Sequence, residues 1–196
     1  MTLCHLGGIM NESNNPSAVR SKKQITDALL SLMEKYPYEE ITVKQIVLET
    51  DLVRKTFYRN FESKDDVLYS YINGILFDYC NTINSSEEDV LTTIFSFAER
   101  NKKLLRLLDK NNMMYVILQC MNDFILSSKT KQDPEHNPFV KLFEGLDSDY
   151  LITLNTGVIW NVISLWVRRG MKDDPEDVKK TIAMYLGRIG AIKKEE

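Results

Sequence analysis

A chain of 196 residues with 43% apolar side chains can bury a proper core, as one large domain or two small ones. Eight glycines and five prolines are too few for a sandwich of short strands and favour long helices. The net charge of −3 is unevenly spread: residues 1–64 hold nine Lys/Arg against eight Asp/Glu, and residues 65–196 hold sixteen against twenty.

Residues 1–17, with Asn11, Ser13, Asn14, Asn15 and Pro16, have no helical period and read as a disordered tail. A first helix is expected from Ser21, with Ile25, Ala28, Leu29, Leu32, Met33 and Tyr36 forming one apolar stripe, and Pro37 ending it. Thr42 caps a short second helix that turns Val43, Ile46 and Val47 inward and ends near Thr50. Asp51 and Leu52 make a turn, for which Asp51 can supply a positive φ. A third helix from Arg54 to Phe61 then buries Phe57 and Phe61.

Ser63, with Asp66 completing a capping box, starts a fourth helix of about five turns that carries Val67, Leu68, Tyr71, Ile72, Ile75, Leu76 and Tyr79. Further helices are predicted at Glu87–Arg100, capped by Ser86 with Asp89, at Lys102–Lys110 and at Met113–Ser127. Residues 127–138 read as a polar loop, and Phe139–Glu144 as a short helix closed by Gly145. Tyr150–Val167 is apolar nearly all round, which implies burial on more than one face. Asp174 and Pro175 start the last helix, with Glu176 and Asp177 at its positive end.

No window is expected to approach eighteen consecutive apolar residues free of charge, so no transmembrane span is predicted. The first residues lack the basic flank and long apolar core of a secretion signal, which points to the cytoplasm. Cys4, Cys80 and Cys120 are too widely spaced for a disulfide framework or a zinc site, and two histidines, His5 and His136, are a poor supply of ligands. Neither a metal nor another cofactor is expected. These scattered groups assemble no nucleophile, base and orienter, and no glycine-rich phosphate loop is present, so catalysis is not expected either.

Two short helices joined by a tight turn, with basic and aromatic residues in the second, are the outline of a helix-turn-helix. Arg54, Lys55 and Thr56 stand at the leading end of the third helix, where side chains reach base edges, and Arg54 has the planar fork that matches guanine O6 and N7. Tyr58 and Asn60 are expected to face outward onto phosphates, with Thr42, Lys44 and Lys64 holding the DNA backbone on either side. The basic groups such contacts need lie in the first third of the chain.

The stretch ITVKQIVLETDLVRKTFYRNFESKDDVL resembles the TetR family of bacterial transcriptional regulators, with TFYRNF followed by Ser63, Lys64 and Asp65 similar to that family's recognition helix and its exit. TGVIWNVISLWVRRGMKDDPEDV is similar to the C-terminal region of one TetR subgroup. Where the family commonly has Ala-Gly-Val-Ser, this chain has Thr50, Asp51, Leu52 and Val53, and Val53 cannot cap a helix through a side-chain oxygen.

The resemblance implies an all-α fold in which a three-helix helix-turn-helix bundle at residues 18–64 is joined by a long helix to a larger helical domain at 65–196. That second domain would serve dimerisation and effector binding. The implied function is a homodimeric regulator, a repressor, on a pseudo-palindromic site in double-stranded DNA, controlled by a small apolar effector; the alternative is control by a partner protein. Phe95, Phe97, Met113, Met114, Tyr115, Met121, Phe124 and Trp160 are candidate pocket residues, with ordinary core packing as the alternative. Leu154, Val158, Val162, Trp166, Ile182 and Leu186 are candidates for the dimer interface.

Overall fold

A computed structural model describes residues 15–83, 90–128 and 147–192, in which nine α-helices and no strand occur. The chain divides into two compact units, Met1–Tyr71 and Ile72–Glu196. The division falls inside the fourth helix, seven residues beyond the expected boundary, because Val67 and Leu68 are still core residues of the first unit.

In the first unit α1 spans Pro16–Lys35. It begins five residues before the predicted start, since the Asn15 side chain accepts the Ser17 amide and Pro16 occupies the first turn, where a missing N–H does no harm. Ile25, Ala28, Leu29, Leu32 and Met33 form its buried stripe. Tyr36 leaves in extended conformation before Pro37, as proline requires of its predecessor. A short 3-10 turn, Tyr38–Glu40, follows and was not foreseen.

Helix α2 (Val43–Leu48) buries Ile46, and α3 (Arg54–Asn60) buries Phe57; both pack on α1 and on each other. The turn between them needs no left-handed residue, contrary to the role suggested for Asp51. Thr50 holds it instead: its hydroxyl donates to the Val47 carbonyl at 2.9 Å and accepts the Leu52 amide at 3.2 Å.

Helix α4 (Lys64–Ile83) starts where Ser63 accepts the Asp66 amide at 3.1 Å. The reciprocal half of the capping box is displaced by one residue, because the Asp66 carboxylate takes the Glu62 amide. Tyr71 of α4 sits near the Lys23–Asp27 ion pair of α1, and burial, reinforced by the Asp27 charge, pushes its hydroxyl pKa above the ordinary value.

The second unit contains the rest of α4, with Ile72 and Leu76 buried, then α5 (Val90–Arg100), α6 (Lys102–Lys110), α7 (Met114–Ser128), α8 (Ser148–Arg168) and α9 (Pro175–Ile192). Helix α6 has the predicted bounds and turns Leu104, Leu105 and Leu108 inward. It ends on Asn112 at φ 56°, a position that Asn tolerates. Helix α8 packs on α6 and α7, and α9 packs on α5. Between α8 and α9, Gly170 (φ 79°) closes the helix while the Met171 amide returns to the Trp166 carbonyl, a Schellman arrangement. Asp174 caps α9 through the Glu176 amide, as expected.

Helix α8 corrects one expectation. Residues 150–167 contain no charged side chain, and by length and composition the helix could cross a membrane. One face, carrying Thr156, Trp160, Ile163, Trp166 and Val167, is buried within the unit, which accounts for much of that apolarity. The Ser86/Asp89 cap, residues 129–138 of the expected loop and the short helix at Phe139–Glu144 lie outside the described residues.

Candidate nucleic-acid interface

The first unit presents a two-sided α3. Its inner side is Phe57, fully buried, with its ring edge-on to Tyr58 at 5.3 Å and tilted against the buried Phe61 at 6.3 Å. Its outer side carries Arg54, Lys55, Tyr58 and Arg59, all exposed. The Arg54 guanidinium lies 5.5 Å from the Tyr58 ring centroid and donates to the Tyr58 hydroxyl at 3.2 Å. Four of its five N–H donors and the Tyr58 proton remain for another partner.

Lys44 on α2 and Lys55 are exposed, and no hydrogen bond or ion pair to a described residue engages either ammonium group. Thr42 caps α2 in a complete capping box with Gln45, its amide donating to Oε1 at 2.8 Å and its hydroxyl accepting the Gln45 amide at 3.3 Å. That pattern, Thr followed three residues later by Gln, was present in the sequence and was missed. Thr56 and Asn60 are half-buried, and Asn60 turns its amide back onto the Thr56 carbonyl at 2.7 Å. This gives the Asn60 side chain an internal partner that the outward, phosphate-facing expectation did not include. Val53 precedes α3 without any side-chain cap.

Lys64 is placed differently from the expectation that it reaches a phosphate. Its Nζ donates to the carbonyls of Tyr38, Glu39 and Ile41 at 2.7, 3.1 and 2.8 Å, which occupies all three of its donors. The ammonium also lies 4.5 Å from the centroid of the Tyr38 ring, and the Tyr38 hydroxyl donates to Asp65. The first residues of α4 are thereby tied to the segment just before Thr42. Hydrogen bonds from a charged donor contribute about 1.5–3 kcal/mol, so Lys64→Met is expected to destabilise the first unit by that order. If Lys64 is a clamp, the salt dependence of DNA binding keeps its slope in this variant; a slope smaller by about one would restore the phosphate contact.

Residues 25–70 match the sequence profile of the bacterial regulatory proteins of the tetR family, a match that covers α2, the turn and α3. Residues 25–70 are therefore an N-terminal domain of the TetR type. The nucleoid occlusion factor SlmA of Alteromonas mediterranea is 30% identical to this chain over 103 residues, 47% of the chain and 53% of SlmA. The chain therefore matches about half the length of that curated relative. The fatty acid degradation regulator FadR from Bacillus halodurans is similar in fold, with a TM-score of 0.51 and 20% identity over 85% of this chain and 94% of its own. The dihydroxyacetone kinase operon activator DhaS has a TM-score of 0.49 and 19% identity over 88% of this chain and 98% of its own.

In the second unit an apolar cleft is lined by Leu76, Tyr79, Ile94, Phe97, Met121 and Trp160, among others. Its interior volume of about 10 Å³ is close to the room of one water molecule. Of the expected pocket residues it brings together Phe97, Met121 and Trp160. Phe95 packs edge-on to Trp166 at 5.1 Å, Met113 is buried elsewhere, and Tyr115 is exposed. The Phe124 side chain lies outside the described residues. Trp160 itself is anchored by Nε1 donating to the Met114 carbonyl at 3.0 Å.

The residues expected at a dimer interface also separate. Leu154 (60% exposed) and Val158 (44%) lie on the open side of α8 with Tyr150 and Leu165, and Val162 and Ile182 are half-buried. Trp166 is buried in its own unit, with Nε1 donating to the Asp173 carbonyl at 2.9 Å. The cause is helical geometry: each step of four residues advances about 40° round a helix, so Leu154, Val158, Val162 and Trp166 walk about 120° from the open face towards the buried one. The Leu186 side chain is not described.

Proposed function

We propose that this protein is a homodimeric DNA-binding transcriptional repressor of the TetR type, acting in the cytoplasm on a pseudo-palindromic operator. A small, mostly apolar effector in the second unit would control it. The observation that carries DNA reading is the two-sided α3: Phe57 fixes it in the bundle, while Arg54, Lys55 and Tyr58 stand exposed on the other side. Lys44 adds a cation from α2 for the DNA backbone. Thr42, Thr56, Asn60 and Lys64 act on this reading chiefly by shaping the interface.

Two such helices must lie about 34 Å apart, or a multiple of it, to enter successive major grooves, and a dimer supplies the pair. The exposed apolar stripe of α8 and the exposed Met184 and Tyr185 of α9 support self-association through the second unit. Repression is assigned from the family resemblance.

A gel-shift titration against the DNA upstream of the protein's own gene tests this function. A specific, salt-sensitive complex is expected, and affinity no better than for random duplex would overturn it. Arg54→Ala should lower operator affinity about 5- to 150-fold per half-site, the weight of one bidentate contact, and relax the choice at one base pair in each.

The small size of this cleft, among the described residues, supports a second reading, in which a partner protein docks on the second unit. Pockets for drug-sized ligands measure about 300–1,000 Å³, so an effector in this cleft would have to widen it considerably. Native mass measurement of purified complexes separates the readings: a stoichiometric partner supports docking, and a dimer whose melting temperature rises with a metabolite supports the effector.

A further inference from the structure

The position just before the recognition helix breaks a local rule. Capping positions favour Ser, Thr, Asp and Asn, whose side-chain oxygens satisfy an amide of the first turn, and Val is among the poorest substitutes. Val53 occupies that position with extended backbone (φ −95°, ψ 152°) and makes no side-chain cap, and its carbonyl alone serves the turn, accepting the Thr56 amide at 2.8 Å. The residue is 67% exposed. A single exposed valine is ordinary on a protein surface, but this one also leaves the helix uncapped. Residues that weaken the free domain and pack against little of it are the ones expected to act in a complex.

The neighbours define what could cover it. Arg54 leans along the helix towards Tyr58, away from Val53, and leaves the valine methyls open at the end of α3 that carries the exposed cations. On the operator-reading function proposed above, that end lies in the major groove. There, of the four bases, only thymine offers an apolar group, its 5-methyl.

We propose that Val53 is a specificity-determining residue that reads a thymine through its 5-methyl group, beside the base pair contacted by Arg54. The proposal rests on the operator-reading function, and it gives the valine an apolar base contact where a capping residue would hold a polar side chain.

The test uses the full chain and synthetic duplexes. Preferred sites are selected from random DNA, and each thymine of the selected site is then replaced in both half-sites by deoxyuridine, which lacks only the methyl group. For the natural protein one thymine position is expected to lose affinity three- to fivefold per half-site on this replacement, the weight of one buried methyl group. In Val53→Ser that position should become indifferent to the methyl while the other positions keep their responses. Serine supplies the missing cap, so the variant should melt at a higher temperature, and lost methyl sensitivity could not be laid to unfolding. If both proteins bind the selected site and respond alike to every deoxyuridine, the thymine contact is refuted and operator reading stands. If no sequence is enriched, operator reading fails and the thymine contact fails with it.

Discussion

The double variant Leu154→Glu, Val158→Glu is expected to be monomeric at micromolar concentration and to bind its operator 10²- to 10⁴-fold more weakly, the avidity lost when two linked sites become independent. Both side chains stand open on α8 within one subunit, so the charges cost that subunit little, and its helical content by circular dichroism should not change. At a twofold interface each change appears twice and four carboxylates are brought together, where desolvation and like-charge repulsion both oppose association. Affinity for a single half-site should be unaffected, because the reading residues are in the first unit. Sedimentation that still reports a dimer would remove the α8 stripe from the interface and leave the exposed residues of α9 to explain any self-association.

The elements of this fold were legible where the apolar period was strong. Helix α6 has the predicted ends because Leu104, Leu105 and Leu108 are flanked by charge on every other face. The start of helix α1 lies ahead of its stripe because Pro16 to Arg20 bury no side chain, and its signal is the Asn15-Pro16 cap. Which face of α8 points outward was not legible, since apolar residues lie on both sides and the sequence does not say which neighbours cover them. The same ambiguity misplaced Trp166 and put Phe95, Met113 and Tyr115 in a pocket. Large flexible residues suggested a cavity, but aliphatic Leu76 and Ile94 help to line the cleft.

The candidate interface was legible for a different reason. Exposed cations around a buried aromatic pair are a property of one short segment, and Arg54, Lys55 and Tyr58 stand where the sequence placed them. Lys64 was not legible because its acceptors are backbone carbonyls 23 to 26 residues away, which leave no mark in residue identity. Its position beside the recognition helix suggested DNA, while the fold directs it inward to the turn before α2.

Phe57→Ala is expected to destabilise the first unit by about 3–5 kcal/mol, the range for truncating a fully buried aromatic ring, and to abolish operator binding at all salt concentrations. The ring is the main inward anchor of a helix only seven residues long, and a helix that short has no stability of its own in water. Removing it also takes away the edge-on support for Tyr58 and the tilted contact with Phe61, so Arg54 loses the surface against which it is held. A unit of about seventy residues has little stability in reserve, and a loss of this size approaches its whole free energy of folding. Thermal unfolding should therefore show an early transition for the first unit, with self-association through the second unit retained. Phe57→Leu, which keeps most of the apolar volume, should recover folding and much of the binding. If Phe57→Ala instead folds normally but fails to bind DNA, the ring contributes to the interface directly and α3 must turn further outward than its burial pattern implies.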